Sequence, residues 1–163
     1  MKIEKVEKAI RRRWGELKRE CNGQFNTMQL PLLENQSIRI GMDGEQRPCA
    51  IVEIQGDAEL SDYVQISSGL FISVQHRIIQ NQEKTLFVVA IDSDSELVYS
   101  AFIADYLLKV DSTNPKQSFE DVYKIWKKKW SGVRKPISPR EEEGLVGEIS
   151  VLMQLVEHVD NAE

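Results

Sequence analysis

Residues 70–91 decide the fold class that the sequence predicts, because two strand patterns with a turn between them follow one another there. The first is Leu70-Phe-Ile-Ser-Val-Gln-His76. In it Leu70, Ile72 and Val74 alternate with Phe71, Ser73 and Gln75, as expected of a half-buried strand. The second is Thr85-Leu-Phe-Val-Val-Ala-Ile91, whose continuous apolar run is typical of a central strand covered on both faces. Asn81–Glu83 is predicted to turn the chain between them. A hairpin of this kind predicts antiparallel pairing.

Further strand patterns precede this hairpin. They occupy Ser37–Met42, Cys49–Ile54 and Val64–Ile66, and Asp43-Gly44 begins the connection between the first two. The stretch Asn22–Gln36 is polar, contains Pro31 and is predicted to be irregular. The sequence therefore predicts a mainly antiparallel sheet of about five strands.

Helical patterns stand on both sides of the predicted sheet. Residues 2–21 carry apolar residues at steps of three and four, which predicts an amphipathic helix. Residues 97–110 are apolar on most sides, so this helix is expected to pack across the sheet. Another helix is predicted to open at Ser118, with Asp121 in the position of a capping box. Together with the sheet, these helices predict an α+β fold.

The last predicted helix runs from Ser138 to Val159. Ser138 and Glu141 form a capping-box pattern, and a proline is tolerated in the first turn between them. Glu148 falls inside the apolar arc of this helix. A carboxylate there needs a cation, a metal ion or hydrogen-bond donors, because an unpaired buried charge is costly. From the residues alone, a metal ligand and an ion pair with arginine or lysine both stay open for Glu148.

The composition is that of an ordinary soluble globular domain. The chain has 163 residues, 41% of them hydrophobic and 29% charged, and no apolar run approaches the length of a membrane span. The N-terminus lacks an apolar signal segment, so a cytoplasmic location is predicted. Cys21 and Cys49 have no metal-like spacing, and His76 and His158 lie far apart, so zinc is not indicated. The net charge of -5 would repel nucleic acid, so any binding requires a local basic patch.

One segment of the last helix carries a resemblance. Gly144-Leu-Val-Gly-Glu-Ile149, preceded by Ser138-Pro-Arg-Glu-Glu142, resembles the GLxGEL helix of a family of bacterial PD-(D/E)XK-motif proteins, endonucleases of restriction-modification or phage-defence type. Four further segments follow in the order of that family: the stretch Ser67–Val74, the strand ending near Asp92, the helix from Leu97 to Val110, and Trp126–Trp130. The resemblance implies that this helix opens a nuclease core. It also implies that Glu148 is the first catalytic acid and one ligand of a partial metal site.

The resemblance further implies a longer protein. In such nucleases an Asp and an Asp/Glu-x-Lys element lie downstream of this helix, whereas the chain ends at Glu163. The expected organisation is an α+β N-terminal domain (1–130), a linker (131–137) and the first helix of a truncated nuclease core (138–163). Mg²⁺ is implied for the full-length family, where it would activate the attacking water and stabilise charge on the phosphate. The chain as given is expected to be catalytically incomplete, with no metal bound.

The densest positive segment precedes the last helix. A surface of this kind beside a nuclease site would contact phosphates, whereas the alternative is a solvated helix end whose lysines complement the helix dipole. The same two interpretations apply to Arg11-Arg-Arg13 in the first helix, where ion pairs such as Glu4–Lys8 and Glu7–Arg11 are the alternative. Trp126 and Trp130 could stack on bases, but their helical spacing favours a place in the core. The candidate DNA-binding residues are Lys124, Lys127, Lys128, Lys129, Arg134 and Lys135.

Two functional hypotheses follow. The first is the N-terminal region of a DNA endonuclease of restriction or phage-defence type, with DNA as its partner. The second is a non-enzymatic module that binds DNA or a protein. If the last helix has no core to pack on, its apolar arc must be covered by the N-terminal domain or by a second copy, so a homodimer is a further expectation. Partner proteins of a defence system are also expected from the resemblance.

Overall fold

A computed structural model describes residues 2–20 and 22–133. The helix α1 (Ile3–Glu20) comes first and is followed by the sheet strands, by α2 (Glu96–Lys109) and by α3 (Pro115–Val133). The predicted α+β class is therefore confirmed. The predicted helix from Ser138 to Val159, with Glu148, lies outside the described residues, as do Arg134 and Lys135.

The sheet has six strands in the order β1-β2-β3-β6-β5-β4, and every neighbouring pair is antiparallel. The prediction of a mainly antiparallel sheet is confirmed, with one strand more than expected. β6 lies between β3 and β5, and its residues 86–91 are all buried, as the continuous apolar run predicts. The strands are β1 (Asn26–Gln29), β2 (Ile38–Met42), β3 (Pro48–Glu53), β4 (Ser61–Ser67), β5 (Leu70–Ile79) and β6 (Gln82–Ile91).

β1 is the strand that was not predicted from the sequence. The prediction that residues 22–36 are irregular is wrong for Asn26–Gln29, which pairs with β2. Gly41 of β2 permits this pairing, because a Cβ atom at Gly41 would lie 2.4 Å from the carbonyl oxygen of Asn26. A short polar edge strand has little hydrophobic pattern, so its pairing depends on the neighbouring strand rather than on its own residues.

The turn of the central hairpin lies one residue earlier than predicted. Gln80 and Asn81 have φ angles of 51° and 62°, and they connect the paired residues Ile79 and Gln82. Two successive positive φ angles define a type I′ turn, whose twist matches the twist of antiparallel strands. Gln82 therefore begins β6, and the prediction that Asn81–Glu83 forms the turn is wrong for its last two residues.

Helices α2 and α3 cover one face of the sheet through an aromatic cluster. The Phe87 ring of β6 lies 6.4 Å from the Tyr106 ring of α2 and 6.0 Å from the Phe119 ring of α3. Phe102 and Phe119 join the two helices at 5.6 Å with nearly perpendicular rings. The prediction that the apolar helix after the sheet packs across it is therefore confirmed.

The start of α3 differs from the prediction. Pro115 is the first helical residue, and the amide N–H of Gln117 donates to Oδ1 of Asn114 at 3.3 Å. Asn114 thus caps the helix, and proline suits the first position because it has no N–H to leave unpaired. The prediction that Ser118 opens the helix is wrong. Its hydroxyl instead accepts from the N–H of Asp111 at 3.0 Å and so fastens the preceding loop.

Helix α1 packs through the predicted apolar stripe. Its buried residues include Ile10 and Trp14, both fully buried. The indole N–H of Trp14 donates to the carbonyl oxygen of Cys49 in β3 at 3.1 Å. Cys49 itself is a buried free thiol, in agreement with the sequence interpretation. The basic side of α1 therefore faces away from the sheet.

Candidate nucleic-acid interface

The predicted lysines of the candidate interface lie on α3. Lys124, Lys127, Lys128 and Lys129 are all exposed. The chain divides after Ile125 into two compact units, so Lys124 belongs to the first unit and the other three lysines to the second. None of the four makes an ion pair within the described part of the chain. These four side chains place positive charge at the surface of α3.

Lys129 differs from the other lysines in its contact with an aromatic ring. Its ammonium nitrogen lies 4.9 Å from the centre of the Trp126 ring, which is a cation–π contact. Trp126 and Trp130 contact each other with ring centres 5.7 Å apart and planes tilted by 54°. Both tryptophans are half-buried, so the structure leaves part of each ring exposed.

The basic side of α1 is the second positive surface. Lys5, Lys8 and Arg12 follow one another at steps of three and four, which places them on one face of the helix, and all three are exposed. Glu16 pairs with Arg12 at 3.4 Å and with Arg13 at 3.0 Å. The hydrogen bond from Arg13 lowers the pKa of the Glu16 carboxyl. The charges of Arg12 and Arg13 are thus already partly neutralised.

The ion pairs of α1 differ from the pairs that its spacing suggested. Besides the pairs with Glu16, Lys18 pairs with Glu96 of α2. Glu7, expected to pair with Arg11, accepts a hydrogen bond from the hydroxyl of Ser100. These contacts fasten α1 to α2. They give part of the charge on α1 a structural role.

A buried polar cluster was missed by the sequence analysis. Nε of Arg47 donates to Oδ2 of Asp43 at 2.8 Å, and the guanidinium carbon lies 4.4 Å from the centre of the Tyr63 ring and 4.8 Å from that of Phe71. Burial raises the pKa of Tyr63 far above its usual range and does the same for the thiol of Cys49. Both groups are therefore neutral and poor nucleophiles at neutral pH. The cluster organises the connection between β2 and β3 rather than a reaction.

The described residues do not fit a magnesium site. Across 2–20 and 22–133, no group of three or more histidine, cysteine, aspartate or glutamate side chains could hold a metal ion. The acidic run after β6 belongs to a helix start, where Ser95 occupies the N-cap position of α2 without a capping hydrogen bond from its side chain. Glu148, the one ligand that the resemblance implies, lies outside the described residues.

Within residues 2–20 and 22–133, no helix combines the length and the apolar character that crossing a membrane requires.

Comparison with protein-family models gives a match over most of the chain. The model described as "Putative PD-(D/E)XK family member, (DUF4420)" matches residues 10–163. The chain therefore belongs to this family, and the resemblance seen in the sequence is confirmed. Neither the curated proteins nor the solved structures searched gave a match. Membership is consistent with a nuclease-like function and with DNA as substrate, and enzymes of the PD-(D/E)XK class generally use divalent metal ions.

Proposed function

We propose that the protein to which these residues belong is a DNA endonuclease of restriction or phage-defence type. In this proposal Glu148 supplies one of the carboxylates of the active site, and the basic segment before it contacts the DNA backbone. The observation that carries the proposal is the family match over residues 10–163, which includes the segment around Glu148.

The charge distribution supports a DNA-contacting role for α3. The whole chain carries a net charge of -5, so a bound phosphate backbone must be held by a local excess of cations. Lys127, Lys128 and Lys129 are consecutive, exposed and unpaired within the described residues, and Arg134 and Lys135 follow in the sequence. Glu148 comes 13 residues after Lys135 in the chain. Cations of this kind position a nucleic acid without reading its sequence.

The test is a cleavage assay on the polypeptide as its source cell makes it. Linear and supercoiled DNA are incubated with Mg²⁺ and, separately, with EDTA. We expect cleavage that requires the metal and that the substitution Glu148→Gln abolishes, because an amide is a poor ligand for Mg²⁺. DNA binding in EDTA should survive this substitution, since the neutral amide removes one negative charge from the neighbourhood of the phosphates.

The matched control is Glu143→Gln, which removes the same charge five residues earlier in the same predicted helix. Full cleavage by Glu143→Gln together with loss in Glu148→Gln would support the assignment. Cleavage retained by Glu148→Gln would contradict the assignment of Glu148. DNA binding without cleavage by the unaltered polypeptide would instead favour the non-enzymatic DNA-binding alternative.

A further inference from the structure

A groove with a volume of about 750 Å³ opens on the sheet face beside α3. One wall is the connection from β3 to β4, residues 54–60, and the other is the first turn of α3 with the loop before it. Strands β4 and β5 form the floor. The groove lies within the first unit of the chain, and its volume is in the range of ligand and peptide sites. Neither the lysines of α3 at 124–129 nor the basic side of α1 contributes to it.

The floor of the groove is apolar and partly exposed. Val64 of the edge strand β4 pairs with Ile72 of β5, and Val74 of β5 pairs with Phe87 of β6. These side chains share one face of the sheet, because positions directly opposite each other project to the same side. Val64 is 53% exposed, and Leu60 on the adjoining wall is 50% exposed. Contiguous apolar surface left open in this way marks a binding surface.

The rim of the groove is acidic. Asp57 and Glu59 lie on one wall and Glu120 on the other, opposed by the single cation Lys116. None of these four forms an ion pair with another side chain in the described ranges. Three carboxylates around an apolar floor repel phosphate and attract lysine or arginine. The charge of this surface is thus opposite to that of the lysines at 124–129 of α3.

The neutral polar side chains of Ser61 and Asn114, which line the groove, already have internal partners. The hydroxyl of Ser61 accepts from the N–H of Val74 at 3.1 Å, and Oδ1 of Asn114 caps α3. A site for a small polar molecule needs convergent groups that fix the orientation of the ligand. Here the apolar floor and the charged rim are the features left to recognise a ligand, which favours an amphipathic chain segment.

The edge strand argues against simple extension of the sheet by a partner strand. The pairing of β4 with β5 shifts register between Ser61 and Val64 and again between Gln65 and Ser67. Such irregularities twist an edge and interrupt the row of groups that a new strand would need. The partner therefore inserts side chains into the groove rather than pairing along β4.

We propose that this groove binds an amphipathic segment of another protein that carries both apolar and basic residues. Two or three apolar side chains of the segment pack on Val64 and Ile72, as in the recognition of amphipathic helices by grooves. Lysine or arginine side chains of the segment face Asp57, Glu59 and Glu120. This function is separate from DNA contact and is carried by a different surface.

The test uses a fluorescent synthetic helix of about 14 residues, roughly four turns, with leucines on one face and lysines on the other. Fluorescence anisotropy measures its binding to the protein, and a second peptide has glutamate in place of every lysine. We expect the basic peptide to bind at least about tenfold more tightly than the acidic one, because the rim favours positive charge. Equal binding of the two peptides would overturn the proposal.

Variants of the groove locate the binding. Two variants should each lower the affinity for the basic peptide by about tenfold or more: the double substitution Asp57→Lys with Glu59→Lys, and the single substitution Val64→Asp. Ile78→Asp is the matched control, since Ile78 is 72% exposed on the β5–β6 hairpin away from the groove. It should leave binding unchanged. The charge variants alter an exposed loop and keep the test valid where Val64→Asp loses its fold, which thermal unfolding detects.

Two other results would overturn the proposal. Binding of the basic peptide unaffected by all groove variants would place the surface elsewhere. Self-association of the unaltered protein in sedimentation, lost in Val64→Asp, with no binding of either peptide, would assign the groove to a second copy of the chain.

Discussion

Asp43 and Arg47 form a largely buried ion pair that also closes the turn between β2 and β3. The side chains are 4% and 13% exposed, and Nε of Arg47 lies 2.8 Å from Oδ2 of Asp43. Oδ1 of the same carboxylate accepts from the backbone N–H groups of Glu45 at 2.9 Å and of Arg47 at 2.8 Å. Burial acts to lower the pKa of the Arg47 guanidinium, but the hydrogen bond and charge of Asp43 outweigh it and raise the pKa. One carboxylate thus fixes both the backbone of the turn and the cation between two rings.

Removing the charge of Asp43 should destabilise the fold strongly. Asp43→Asn leaves the largely buried guanidinium of Arg47 with only the exposed Glu45 as an ionic partner, which costs roughly 3 kcal/mol by comparison with other broken buried pairs. The free energy of unfolding from urea titration measures this loss. The matched control is Glu45→Gln, because Glu45 pairs with the same arginine at 3.3 Å but is 76% exposed. That change should cost less than about 1 kcal/mol. Equal losses in the two variants would contradict a special role for the buried pair.

The thiol of Cys49 should make the fold less stable in alkali. Burial raises the pKa of the thiol in the folded state, so the folded protein favours the neutral form. The stability that this neutral thiol contributes is fully present below the pKa of the unfolded thiol and declines as the pH rises above it. The loss begins near the usual thiol pKa of about 8.5 and amounts to about 1.4 kcal/mol per further pH unit. Urea titrations from pH 7 to about pH 9.5, below the usual range of tyrosine, measure the slope.

The variant for this test is Cys49→Ala in a Cys21→Ser background, so that a single thiol differs. Alanine should flatten the decline of stability above about pH 8.5, although it lowers stability at all pH values by removing a buried sulfur. An unchanged slope would mean that Cys49 does not remain neutral in the folded protein.

Hydrophobic pattern predicted the elements of this fold that bury apolar residues. The stripe that includes Ile10 and Trp14 and the run at 86–91 specify their own burial, because period and composition agree there. β1 and the buried Arg47 could not be predicted in this way. The strand depends on a glycine in its neighbour, and the arginine depends on two aromatic rings that lie 16 and 24 residues further along the chain. Both are tertiary effects that local pattern does not encode.

The two candidate sites differ in the same way in how far the sequence predicts them. The lysines of α3 could be identified from the sequence, because a run of like charges is visible in it and the helix leaves them exposed. The acidic groove could not, since Asp57, Glu59 and Glu120 come together only when the loop after β3 and the start of α3 meet over the sheet. Periodicity assigned Val64 to a strand without showing that the strand lies at an open edge.

The lysines of α3 should control the salt dependence of DNA binding. Each phosphate contact that is lost lowers the slope of log affinity against log salt by about 0.9. The triple substitution Lys127→Gln, Lys128→Gln and Lys129→Gln should therefore reduce the slope by roughly 2 to 3 and weaken binding at low salt for all sequences alike. Binding of a labelled random-sequence duplex at several salt concentrations measures both quantities.

The control for this experiment removes equal charge from α1 through Lys5→Gln, Lys8→Gln and Arg12→Gln. Since all three side chains are exposed, the fold should tolerate the changes. A slope reduced only by the α3 substitutions would support the assignment to α3. A slope reduced only by the α1 substitutions would move the interface to α1 and contradict it.

Gly41 should prove sensitive to substitution, because β1 passes close to it. A Cβ atom there would lie 2.4 Å from the carbonyl oxygen of Asn26 and 3.1 Å from Cδ1 of Ile51, so Gly41→Ala must push β1 away or displace the core side chain. Overpacking of this kind costs about 1–3 kcal/mol. Gly44→Ala is the control, because a Cβ atom at Gly44 meets nothing within 4 Å. It should change the free energy of unfolding by less than about 1 kcal/mol. Amide hydrogen exchange should locate the damage of Gly41→Ala in β1 and β2, and protection lost equally across β5 and β6 would contradict this account.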